Sequence, residues 1–264
     1  MDRTTLSAVA VVVVVVAGCT VPASDGPTRS TTEPTPSVTP TPSVTPTPTE
    51  PPASGSRTLP AGWSETGVEN ASVALAAHYR AVLTGPSTTV TYRSRAVESE
   101  LDRPVNTTLD MQIDPGSKRM YASIVGESDH REAYFADGTL SQWSVRNETV
   151  VSRSEARFVQ VGRSIDRWVL KSHLLLYELR LNRTVERNGT TALVYDVTGV
   201  YNNTHSATWG AGESGTGQIV VTEAGRILGL ETTVTYTRGT VRYDYAQTRL
   251  GTTDVDTPAW ARTA

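Results

Sequence analysis

The chain has 264 residues, a net charge of −3 and 38% hydrophobic residues, and eleven of its fifteen prolines fall between Pro22 and Pro60. With no basic block or stripe, the composition argues against a nucleic-acid partner. Cys19 is the single cysteine, so neither an intramolecular disulfide nor a thiolate metal site can form.

The N-terminus opens with Asp2-Arg3 and an apolar run, Leu6 to Ala17, that includes Val11 to Val16. About a dozen residues fall short of the roughly 20 needed to span a bilayer, so residues 1–18 read as a signal peptide. The run ends in Val16-Ala17-Gly18-Cys19, an aliphatic-small-small-Cys sequence similar to a lipobox. Small residues admit a peptidase to the backbone, and the Cys19 thiol can take a thioether lipid. Lipidation of Cys19 would hold the chain on the outer face of the cell membrane. A plain signal peptide and an uncleaved N-terminal anchor are the alternatives.

Residues 19–60 hold this cysteine and a tether. Within it Ser37-Val38-Thr39-Pro40-Thr41-Pro42 repeats directly as Ser43-Val44-Thr45-Pro46-Thr47-Pro48. Almost no large apolar residue is present to offset ordering entropy. Proline at this density favours polyproline II, a semi-rigid spacer of ~3.1 Å per residue.

Asn-X-Ser/Thr occurs at Asn70, Asn106, Asn147, Asn182, Asn188 and Asn202. In an exported chain these are candidate N-glycosylation sites. Asparagine and threonine also concentrate together in the turns of Thr-rich β proteins.

Residues 61–264 read as one α+β domain. Val68, Ala71, Ser72, Leu75, Tyr79, Val82 and Leu83 recur at helical spacing up to the stop at Gly85-Pro86. Period-2 patterns follow: Val90, Tyr92, Ser94 and Ala96; Leu109, Met111 and Ile113; Met120, Ala122 and Ile124. Asp114-Pro115-Gly116 marks a turn and Asp137-Gly138 a hairpin. The spacing of Ile165, Trp168, Val169, Ser172, Leu175, Leu176 and Leu179 predicts an amphipathic helix of four turns over 165–181. A hairpin at Asn188-Gly189 leads to Leu193, Tyr195 and Val197, and a final meander has turns at Ala224-Gly225 and Arg238-Gly239. The expected architecture is a curved antiparallel sheet, a half-barrel, packed against an N-terminal helix and one inserted amphipathic helix.

This layout resembles the LolA/LppX-like lipoprotein carriers. The echoes are the turn Glu223-Ala224-Gly225-Arg226-Ile227 and the close Asp256-Thr257-Pro258-Ala259-Trp260. The chain also resembles uncharacterised haloarchaeal lipoproteins. The family likeness implies a half-barrel whose concave face holds acyl chains.

Enzyme motifs are missing. Gly210-Ala211-Gly212-Glu213-Ser214-Gly215 has Gly-X-Gly-X-X-Gly spacing without the strand-then-helix context of a dinucleotide site, and it reads as a flexible loop. His78, His130, His173 and His205 are scattered, with His78 and His173 expected on exposed or half-buried helix faces. Glu127, Asp129 and His130 form a small polar cluster that reads as a loop. Tyr236, Tyr243 and Tyr245 fit core, cavity wall or a sugar-stacking platform. No cofactor, metal or catalytic residue is expected. The expected activity is binding of a lipid or other apolar ligand, with Tyr92, Met111, Ile113, Met120, Trp168, Leu175, Leu176 and Leu179 lining the cavity. The alternative is a non-catalytic, glycosylated surface module with an unidentified protein partner.

Overall fold

The structure is a computed structural model that describes residues 58–102, 105–187 and 189–262. The leader, Cys19, nearly all of the tether and Asn188 lie outside the described residues.

A two-stranded clip, β1 (Trp63–Ser64) and β2 (Gly67–Val68), precedes helix α1 (Ala71–Leu83). Asn70 caps α1, its side-chain oxygen accepting from the Ser72 and Val73 amides at 3.1 Å. The helix stops at Thr84, before the Gly85-Pro86 breaker.

Alternating sequence then builds β3 (Thr88–Ser99), β4 (Thr107–Asp114), β5 (Arg119–Val125), β6 (His130–Ala136), β7 (Thr139–Ser144) and β8 (Thr149–Glu155) as one meander. A crossover carries α2 (Phe158–Gly162) and α3 (Arg167–Leu174). A second meander follows: β9 (Tyr177–Arg187), β10 (Thr190–Val200), the short β11 (His205–Ser206), β12 (Gly210–Thr222), β13 (Ile227–Tyr236) and β14 (Gly239–Thr248). A last turn, α4 (Ala259–Arg262), ends the described chain.

The two meanders fuse where β14 pairs with β3, setting Tyr245 opposite Tyr92 and Tyr243 opposite Ser94. The sheet order is β8-β7-β6-β5-β4-β3-β14-β13-β12-β10-β9, all antiparallel and not closed into a barrel. Its two edges are β8 and β9, so the crossover with α2 and α3 runs from one edge to the other. One face of the sheet forms the core with the helices: Val90, Leu109, Met111, Tyr195, Ile219 and Val234 are buried with Leu75, Tyr79, Val169 and Leu170. The opposite face is crossed by the C-terminal segment. There Trp260 stacks on Trp143 at 5.7 Å and Tyr134 meets Thr257 at 2.9 Å. The curved α+β half-barrel expected from the patterning is thus the fold.

Four local expectations are corrected. The four-turn helix over 165–181 is only α3, eight residues long, and Tyr177 starts β9. Tyr177, Leu179 and Leu181 also alternate with Glu178, Arg180 and Asn182, and pairing with β10 made that period-2 reading win. Gly210–Gly215 is not a loop but the start of β12. Its glycines give room there: a Cβ on Gly215 would sit 2.8 Å from Val200 Cγ1, and one on Gly212 would sit 2.6 Å from Thr204 Cγ2. His78 and His173 are buried, at 0% and 3% exposure. Finally, Phe158–Gly162 is a helical turn that the sequence patterning did not suggest.

The Gly225 turn explains one of the quoted echoes. With φ of +87°, Gly225 lies so close to α1 that a Cβ would meet Ala77 Cβ at 2.7 Å. The next peptide donates from Ile227 N–H to His78 Nδ1 at 3.0 Å, which locks the hairpin onto the helix.

Candidate functional site

Along one side of α3 the helix layer stops short of covering the sheet. A cleft of about 440 Å³ opens between α3, strands β3, β13 and β14, and the segment 203–206. This is within the size range of small-molecule sites. Its wall is aromatic: Tyr92 comes from β3, Tyr236 from β13, Tyr243 from β14, and Trp168 and His173 from α3. The Trp168 ring stands edge-on to Tyr92, with centroids 5.8 Å apart, and His173 is edge-on to Tyr243 at 4.7 Å. Edge-to-face contacts of this kind hold rings in fixed orientations.

The polar atoms among these rings satisfy one another. Tyr177 OH bonds to His173 Nδ1 at 3.0 Å and to Thr232 Oγ1 at 2.5 Å. Tyr236 OH and Tyr243 OH lie 3.0 Å apart. Burial lowers His173 to about 3, so the imidazole is neutral at physiological pH. Burial likewise pushes the Tyr243 hydroxyl upward, so it remains un-ionised. No aspartate, glutamate, lysine or arginine lines this cleft.

Apolar surface is open at the mouth: Trp168 is 44% exposed and Leu175 is 54% exposed. The arrangement offers stacking and apolar contact. Ser172 Oγ donates to the Trp168 carbonyl at 2.7 Å, and Ser206 Oγ accepts from the Trp209 amide at 3.2 Å. Neither serine is bonded to a histidine. Among the described residues, no group of three or more His, Cys, Asp or Glu side chains is placed to hold a metal ion. Asp129 of the polar cluster pairs with Arg131 at 2.6 Å, and His130 Nε2 meets Ser123 Oγ at 3.1 Å.

Of the eight residues expected to line a cavity, the structure gathers Tyr92, Trp168, Leu175 and Leu176 at this cleft. Met111, Ile113 and Met120 sit in the closed core, where Gly162 of α2 lies so near that a Cβ would be 2.8 Å from Met120 Cε. Leu179 is buried beside the clip, against Gly67. His173, Tyr236, Tyr243 and the 203–206 segment complete the site. Tyr236 and Tyr243 carried a signal in their strand spacing; the segment carried none.

The five described sequon asparagines, Asn70, Asn106, Asn147, Asn182 and Asn202, are all exposed. Three of them also support the backbone or a neighbour. Asn70 caps α1, Asn106 Oδ1 accepts from Ala96 N–H at 3.0 Å, and Asn182 Nδ2 donates to Asp196 at 2.7 Å.

No protein-family model and no curated protein sequence matches the chain. Among solved structures it is similar to LprF from Mycobacterium bovis, at 12% identity and a TM-score of 0.33, over 74% of this chain and 99% of that one. It is also similar to the lipoprotein LppX of Mycobacterium tuberculosis, at 13% identity and a TM-score of 0.33, over 70% and 96%. A LolA superfamily protein from Nitrosomonas europaea aligns at 11% identity and a TM-score of 0.24, over 71% and 94%. No helix among the described residues is long and apolar enough to cross a membrane.

Proposed function

We propose that the chain is an extracytoplasmic lipoprotein, held at the membrane through lipidated Cys19, whose half-barrel binds an uncharged apolar ligand such as an acyl chain. The observation that carries this reading is the aromatic cleft without carboxylate, lysine or arginine in its lining, with Trp168 and Leu175 exposed at its mouth. Covering the aromatic part of its wall with hydrocarbon is favourable by ~25 cal/mol per Å² of apolar surface, while Asn203, Thr204, His205 and Ser206 form a polar side. Trp168 also supplies the assay. N-phenylnaphthylamine, a neutral apolar fluorophore, should bind the full-length chain and quench tryptophan emission by energy transfer. W168A and L175A should each weaken it by roughly tenfold, which corresponds to about 1.4 kcal/mol. Saturable binding that ignores both substitutions, or no binding at all, removes the proposal.

The exposure of the five described sequons favours a second reading, a glycosylated module displayed at the surface. Intact mass measurement of the native chain tests it, because N-linked, hexose-spaced mass increments must disappear when all six sequon asparagines, Asn188 included, are replaced by glutamine.

A further inference from the structure

A second cleft, of about 1050 Å³, lies on the other side of the crossover, and its character is opposite. Four cationic side chains line it, three from the crossover stretch 157–167 and one from a turn of the sheet. Lys118 sits in the β4–β5 turn, Arg157 between β8 and α2, Arg163 just after α2, and Arg167 at the start of α3. Asp137, in the β6–β7 turn, is the one carboxylate in the lining. None of the four cations is in an ion pair; the ion pairs among the described residues involve Arg93, Arg95, Arg131 and Arg242 instead.

One exposed arginine without a partner is ordinary. Four like charges converging on one concavity are not, in a chain whose net charge is −3. Each raises the potential felt by the others, and an anion entering the cleft relieves that repulsion. Arginine is suited to the task, since its planar fork meets phosphate oxygens in pairs. The cleft floor is apolar: Phe135 and Phe158 pack with ring centroids 6.0 Å apart. A cationic rim over an aromatic floor fits a phosphate ester that carries an apolar portion.

We propose that this cleft is a binding site for a phosphate group, separate from the aromatic cleft and independent of whether that cleft binds lipid. The phosphate can come from a phospholipid headgroup or from a soluble phosphate ester, and both present the same dianionic or monoanionic oxygens to the arginines.

Calorimetric titration of the full-length chain at low ionic strength tests this, with glycerol 3-phosphate, dihexanoyl phosphatidylglycerol and zwitterionic dihexanoyl phosphatidylcholine as probes. Phosphatidylglycerol is expected to bind at least roughly tenfold more tightly than phosphatidylcholine, and raised salt should weaken it. Binding of glycerol 3-phosphate as well means that the headgroup suffices; binding of phosphatidylglycerol alone means that the lipid is the source. R157E/R163E should abolish binding of the anionic probes while leaving N-phenylnaphthylamine binding intact. If that double variant fails to fold, K118N, which removes one charge at a turn position of φ 54°, should still weaken anion binding. Equal affinity for phosphatidylcholine, no anionic binding at all, or anionic binding unchanged in the charge variants overturns the proposal.

Discussion

Asp166 holds its carboxylate at 2% exposure, just before α3, where it accepts hydrogen bonds from Tyr79 at 3.1 Å and Tyr245 at 3.3 Å. No cation is bonded to it. Burial therefore dominates and raises its pKa to about 6, against the pull of the two hydroxyls. The folded state holds this proton more tightly than the unfolded one. The resulting stabilisation is fully present below pH 3.8 and is lost as pH rises through 6. At neutral pH the ionised, buried group costs about 3 kcal/mol net of what the two tyrosine bonds return. D166N should accordingly be more stable than the parent at pH 8 by about 1–3 kcal/mol, because the amide keeps an acceptor without the charge. Urea unfolding at pH 8 and pH 4 checks this: the advantage must shrink or vanish at pH 4. An equal difference at both values means that the carboxylate does not titrate in this range.

At the scale of single elements, two glycines with positive φ separate conformational strain from steric exclusion. Gly138 has a φ of +77° in the β6–β7 hairpin, and a Cβ there would meet nothing within 4 Å. Gly217 has a φ of +128° in β12, and a Cβ would lie 2.1 Å from the Glu231 carbonyl oxygen. G138A should therefore lose only the backbone strain, about 1 kcal/mol. G217A must also push β12 and β13 apart, and should lose at least about 3 kcal/mol or fail to accumulate. Thermal melts of the two variants side by side decide it, and equal losses would contradict the close approach of Gly217 to the Glu231 carbonyl. Asp137-Gly138 was legible in the sequence because a two-residue hairpin needs left-handed residues, and φ is +51° and +77° there. Gly217 was not legible: its need comes from the neighbouring strand, which local sequence does not identify. The same distinction explains α3. Residues 177–181 satisfy helical and strand periods together, and only the partner strand β10 chooses between them.

Over the whole molecule, the strand patterns, the helix before β3 and the turn chemistry were readable because each is local. Which side of α3 stays uncovered is not local. It depends on where the crossover between the sheet edges lies, so half of the expected cavity residues ended in the filled core, and nothing local joins Lys118 to the arginines of 157–167. The buried histidines show a further consequence of that global packing. His78 and His173 are each held near 3 by burial, against 6.5 in the unfolded chain. For these groups stability is present above the unfolded value and is lost as pH falls toward the folded one. Asp166 works in the opposite direction over a narrower range, so two groups oppose one between about pH 4 and pH 6.5. The unfolded chain binds more protons there, and acidification from pH 7.5 to pH 4.5 should lower the urea midpoint. H173F keeps the ring contacts with Tyr92 and Tyr243 and leaves Tyr177 bonded to Thr232, at a cost of about 1 kcal/mol at pH 7.5. It also removes one of the two imidazoles. Its midpoint should consequently fall less between the two pH values than the parent's does. A parent midpoint that rises on acidification, or an H173F profile parallel to the parent's, would mean that the imidazole under α3 is open to water and protonates freely.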